Sequence, residues 1–417
     1  MSFQLKDPDL KPKFEHYLNE LLSLFDNAKP QPTLTGRNIV EFSHDCYVLH
    51  NFIKSGNDVT SEELRQFIKA TLFEMKRQNV TDVGLFFRIL DSTYHKTRQE
   101  EHFTFDTVHS VNLDIGKMPN RNFTVNHADV RLVDYQQLQD DIDLTSRIHE
   151  IGRFRPTEID QLQKFSYAVI SAKTTNEKLA YQRGHEVFEL FRGILNFADR
   201  LGTFTFQFGR PQTLSQIPPA KLAVVFDERK EMKGYWITEG PFEYRHLSLE
   251  SAKLDFASEL FGKMNALRDG SMKNRLISAI TKHSEGLDGN VTGTSFITFW
   301  QVLEIIALGD YYNLSEKEVS SRIGSIFHDQ KMRDLMDVLR DRRNYLVHKG
   351  AIWEFDLEEI NLLRSCCEPA ILFLFNNIAN FEDEPSLDLF YTTVNKSTVD
   401  LERQKKILDY VIGGRGH

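Results

Sequence analysis

Cysteine is scarce in this chain. Cys46, Cys366 and Cys367 are the only three in 417 residues, so no disulfide framework supports the fold. The Asn-x-Ser/Thr triplets at Asn79, Asn122, Asn290 and Asn313 then carry no glycosylation meaning. Long apolar runs are also missing: no window approaches the roughly 18 uninterrupted apolar residues that a membrane span needs. The opening stretch, Met1-Ser2-Phe3-Gln4-Leu5-Lys6-Asp7-Pro8, lacks the apolar core of a signal peptide. We therefore expect a cytoplasmic protein with no membrane partner. A surplus of positive charge is lacking as well. The formal net charge of -9 argues against non-specific coating of nucleic acid, which depends on many Lys and Arg contacts to phosphates. No GxxxxGK[ST], GxGxxG or GxSxG pattern occurs, so nucleotide hydrolysis, dinucleotide binding and serine-hydrolase chemistry have no support, and no cofactor is expected. His44, Cys46 and His50 are metal-ligand types without a fourth partner, so no metal site is expected either.

What is present suits a globular chain of two or three domains, with 41% hydrophobic residues and 32 Phe to fill cores. Apolar residues three and four apart predict helices over Pro12 to Phe25, from Thr60 or Ser61 to Met75, and from Glu177 to Leu201 behind Thr175 or Asn176 as cap. Strand-like alternation marks Val83 to Ile89, Phe103 to Asp114, Asn122 to Val133, Lys164 to Ala172, Phe204 to Phe208, Leu222 to Phe226 and Tyr235 to Thr238. Past residue 248 the strand signals stop. Helical periodicity then runs through Ser251 to Leu267, Met272 to His283, Ser295 to Leu308, the Ser315/Glu318 capping box, Gln330 to Val347, Phe355 to Phe381 and Val399 to Val411, with a Gly-rich loop expected over Gly286 to Gly293. The expected fold class is α+β: a mixed region over 1–248 with a sensor or regulatory role, followed by an all-helical bundle over 249–417.

Arg340-Asp341-Arg342-Arg343-Asn344-Tyr345-Leu346-Val347-His348-Lys349-Gly350 ends one of these helices. From Lys331 to Lys349 there are six basic side chains against three acids, a locally positive stretch in an acidic chain. A guanidinium binds phosphate bidentately, and an imidazole exchanges protons near neutrality. Positions five apart differ by about 140° around a straight helix, so Arg343 and His348 meet one phosphate only if the helix loosens near Val347, where Gly350 offers a C-terminal cap. The same basic residues would also complement the negative end of the helix macrodipole. Tyr345 is expected in the core, His185 and His283 in solvent, Cys366 and Cys367 buried as small apolar residues, and Asp227 to Lys230 in a hairpin loop.

The Arg343-Asn344-Tyr345-Leu346-Val347-His348 motif resembles that of the HEPN superfamily of helical ribonucleases. With the upstream Phe299-Trp300-Gln301-Val302-Leu303-Glu304 helix and the closing His-Lys-Gly, residues 250 to 385 are similar to the ApeA-like branch found in bacterial anti-phage proteins. That resemblance implies metal-independent RNA cleavage. His348 would act as general base or acid, Arg343 on the phosphorane charge, Asn344 as hydrogen-bond support, and Glu304 as an orienting carboxylate. Arg340, Arg342 and Lys349 would bind RNA, two chains would pair as a homodimer with facing motifs, and a phage-derived trigger would act on the N-terminal region. The alternatives are a non-catalytic module of the same type, serving RNA binding or dimerisation, and a metal-dependent nuclease in the first region.

Overall fold

The computed structural model describes residues 3–25, 37–54, 59, 61–99, 102–116, 118, 120–152, 156–203, 214–238, 247–289, 293–308, 315–327, 330–349, 357–377, 381, 383–394 and 396–414. It divides into two compact units, Met1–Phe103 with Thr174–Leu179, and Thr104–Lys173 with Ala180–His417. The architecture is α+β, as expected.

The first unit contains β1 (Gln4–Leu5), α1 (Lys11–Ser23), α2 (Arg37–Phe52), β2 (Ile53–Lys54), α3 (Ser61–Gln78) and α4 (Val83–Gln99), with β1 and β2 paired antiparallel. Phe14, Leu18 and Leu21 of α1 share a core with Ile68, Leu72 and Met75 of α3 and with Phe86 and Leu90 of α4. The segment from Val83 to Ile89, expected as a strand, forms the first turns of α4. Its buried residues Val83 and Phe86 continue in Leu90 and Tyr94 at helical spacing, and the Leu85 N–H donates to Asp82 Oδ1 at 2.7 Å. The helical period emerges only when the window reaches Tyr94.

The second unit begins with β3 (Phe103–Val111), β4 (Asn122–Val125) and β5 (Ala128–Val133), then α5 (Tyr135–Ile142), α6 (Leu144–Ile151) and α7 (Pro156–Leu162). It continues with β6 (Ser166–Thr174), α8 (Glu177–Arg200), β7 (Leu222–Phe226) and β8 (Met232–Ile237). The six strands form one sheet in the order β4-β5-β6-β3-β7-β8. Side-chain alternation sends Tyr167 and Val169 of β6 to a core with α5, α6 and α7, and Ala168 and Ile170 to the core that contains α8 and the later helices. The strand expected at Phe204 to Phe208 lies outside the described residues.

Eight helices follow: α9 (Ser251–Ala266), α10 (Ser271–Asp288), α11 (Gly293–Leu308), α12 (Glu316–Ile326), α13 (Gln330–Lys349), α14 (Leu357–Asn376), α15 (Glu384–Thr393) and α16 (Thr398–Gly414). The change at residue 248 is one of secondary structure and not of packing, since Phe123, Val130 and Ile170 of the sheet share a core with Phe261, Leu276 and Phe299 of these helices. The first three residues of the loop expected at Gly286 to Gly293 are helix, because α10 runs on to Asp288, and residues 290–292 lie outside the described ones. Gly286 is there for closeness: an added Cβ would lie 2.8 Å from the Phe299 ring on α11. His283 is fully buried, contrary to expectation, between Phe197 and Phe299, and neither ring nitrogen has a hydrogen-bond partner among the described residues. His185 is partly buried and stacks on Tyr181.

Two outcomes follow from this packing. Gly286→Ala must push apart α10 and α11, so the urea midpoint should fall by the equivalent of about 1–3 kcal/mol. Burial holds the imidazoles of His109 and His283 down at about 3, well below the 6.5 of a free side chain. A depressed histidine adds stability that is complete above the unfolded value and is lost as pH falls toward the folded one. Each residue should therefore cost about 2 kcal/mol of unfolding free energy between pH 7.5 and 5, measurable by denaturant titration, and His283→Leu should flatten that dependence.

Candidate active site

Met336 and Leu339 of α13 are buried, and Arg343, seven residues past Met336, lies on the same inward side of the helix, beside α11 and α12. The side chain of Glu304 is 28% exposed and lies one turn beyond the buried Trp300, whose indole Nε1–H donates to Glu304 Oε1 at 2.9 Å. That carboxylate reaches Arg343 Nη2 at 3.6 Å. Burial raises the Glu304 pKa, while the Arg343 charge and the indole hydrogen bond pull it back down. Asn344 accepts a hydrogen bond from Arg343 Nη1 at 3.1 Å. Three of the expected site residues, Glu304, Arg343 and Asn344, are thus brought together.

Glu316 was not visible as a site residue in the sequence. Its carboxylate accepts from Arg343 Nη1 at 3.0 Å, the shortest described contact of that guanidinium. The capping box of Ser315 and Glu318 fixes where α12 begins and so places Glu316 in its first turn. That box was legible; the approach of α12 to α13 was not.

His348 is not brought to Arg343. The expected loosening at Val347 does not occur: α13 continues through His348 to Lys349. With the helix unbroken, the two side chains leave the axis about 140° apart. His348 is exposed, without a hydrogen-bond or ion-pair partner among the described residues. One chain therefore presents a half-buried guanidinium on one side of α13 and an accessible imidazole on another.

The basic character of the stretch is largely neutralised. Arg340 donates to Asp337 at 2.7 Å and to Asp341 at 2.8 Å, and Arg342 donates to Glu359 of α14 at 2.8 Å. Lys349 is exposed. The excess of basic residues along the chain disappears once Glu304, Glu316 and Glu359 arrive from other helices. Tyr345, expected in the core, is 51% exposed, with the Arg342 guanidinium 6.0 Å from its ring centroid. It follows Val338 by seven residues on the outer face of α13, away from Met336 and Leu339.

Elsewhere, Asp227 to Lys230 form the turn between β7 and β8, with Asp227 Oδ1 accepting from the Arg229 and Glu231 N–H groups. Cys366 and Cys367 are buried in α14. Among the described residues, no group of three or more His, Cys, Asp or Glu is placed to hold a metal ion, and no helix is long and apolar enough to cross a membrane.

A guanidinium fixed by a half-buried carboxylate, with an amide beside it, suits stabilisation of negative charge at phosphorus. It needs a proton-transfer group from outside its own side of the helix. Removing the indole donor with Trp300→Phe should raise the Glu304 pKa further, as followed by carboxyl-carbon NMR titration. Compared with known proteins, the chain matches no family model, no curated protein and no solved structure.

Proposed function

We propose that this chain is a metal-independent endoribonuclease acting as a homodimer in prokaryotic anti-phage defence, with its N-terminal region receiving a phage-derived trigger. The observation that carries the chemistry is the convergence of Glu304, Arg343 and Asn344, while His348 of the same chain is exposed and turned elsewhere. The defence setting, the trigger and the cytoplasmic location rest on the HEPN-type, ApeA-like resemblance of the Arg343 to His348 motif.

In the proposed dimer two motifs face one RNA phosphate. His348 of one chain takes the ribose 2′-OH proton as the 2′-oxygen bonds to phosphorus. The bond from phosphorus to the 5′-oxygen breaks, and the protonated second imidazole gives its proton to that leaving oxygen. The products are a 2′,3′-cyclic phosphate and a 5′-hydroxyl, with no metal consumed or required. Arg343 stabilises the phosphorane charge, Glu304 orients the guanidinium, and Asn344 supports it. Arg340, Arg342 and Lys349 would contact flanking phosphates, the first two after exchanging carboxylate partners for RNA.

A second reading is favoured by the pairing of Arg343 with two carboxylates: a non-catalytic module that binds RNA or dimerises through this helix. One mixing experiment separates the two. If each cleavage needs a His348 from both chains, a ninefold excess of His348→Ala should cut activity per wild-type chain to about a tenth after subunit exchange, since nearly every wild-type chain then has an inactive partner. Unchanged activity per wild-type chain would refute the two-chain site. RNA binding without product at any protein concentration would support the non-catalytic module.

A further inference from the structure

Of the two carboxylates on Arg343, one is anchored and the other is exchangeable. Glu304 is held by the Trp300 indole and is 28% exposed, whereas Glu316 is 44% exposed. Yet Glu316 makes the closer contact, 3.0 Å against 3.6 Å. The guanidinium is also incompletely satisfied, because its buried Nε–H has no acceptor among the described residues. Glu316, the more exposed of the two, pairs with Nη1, while Glu304 pairs with Nη2, so a phosphate arriving from solvent that takes Nη1 finds Nη2 still paired with Glu304. With Glu316 44% exposed the pair is partly open to solvent, so an anion able to accept two guanidinium hydrogen bonds can replace it.

Building on the ribonuclease reading, we infer that Glu316 is a positioning residue that holds Arg343 in place in the empty site and is displaced from it by the RNA phosphate. Glu316 touches neither the reacting atoms nor the substrate. It acts through Arg343, and its carboxylate competes with the phosphate for the same Nη1. The competition sets a threshold: only an RNA held by further contacts displaces Glu316 and gains the guanidinium.

The test uses the full-length chain carrying His348→Ala, so that RNA binds without being cut, with a fluorescein-labelled single-stranded RNA titrated over a range of salt concentrations. Adding Glu316→Gln should tighten binding about two- to fivefold, the range open to an exposed ion pair. It should also steepen the salt dependence by up to about one phosphate contact. Both effects should vanish when Arg343→Gln is present, whereas general relief of negative charge would persist there. Affinity that is unchanged or weaker with Glu316→Gln, while Arg343→Gln still weakens binding, would overturn the competition and leave the ribonuclease reading standing. If Arg343→Gln changes neither binding in this background nor cleavage in the chain with His348 intact, the ribonuclease reading itself falls. Thermal unfolding of each variant, compared with its parent, separates these outcomes from misfolding.

Discussion

The guanidinium of Arg343 lies where α11, α12 and α13 meet, and the local arrangement turns on keeping its charge neutralised at a half-buried position. A buried charge without a partner is costly, so carboxylates must come to it. Glu304 arrives on a helix whose neighbours in sequence are almost all apolar, and the Trp300 indole fixes it. Glu316 arrives through the start of α12. Because an arginine remains charged at any ordinary pH, the site keeps one fixed positive charge.

His348 is governed by the opposite condition. It stands near the end of α13 in solvent, one turn past the exposed Tyr345, and no partner among the described residues of its own chain holds it. On the proposed reading, a fixed cation and an exposed imidazole on different sides of one helix form half of a site for phosphodiester chemistry. The proposed second chain completes it through a property that any isologous pair has: each residue near the axis is present twice. The acid and the base can then be the same residue of two chains, in different protonation states.

Much of this was legible in the sequence. The α+β class, the strands β3, β6, β7 and β8, the run of helices after residue 248 and the capping box of α12 follow from period and cap chemistry, whereas Asn122 to Val133, read as one strand-like stretch, is the hairpin of β4 and β5, and the closeness of Glu304 to the motif came from the HEPN-type resemblance. What was not legible depends on contacts distant along the chain. The segment at Val83 read as a strand because Val83, Leu85, Phe86, Phe87 and Ile89 fit either period over so short a window. His283 read as solvent-facing because no sequence pattern announces that Phe197 and Phe299 will close over it. Tyr345 was assigned to the core by residue type, although its position seven residues past Val338 places it on the outer face. The local basic excess was a count along the chain, and charge acts through space: Glu316 and Glu359 were invisible to it. The helix was expected to loosen near Val347, and its continuation through Lys349 set that expectation aside, while Gly350 itself lies outside the described residues.

The most direct measurement incubates the full-length protein with RNA in excess EDTA and reads the termini of any fragments. Metal-independent cleavage by paired His348 side chains predicts 2′,3′-cyclic phosphate ends, formed equally with and without chelator and absent with His348→Ala. Fragments that vanish with chelator, or that persist with His348→Ala, would contradict it.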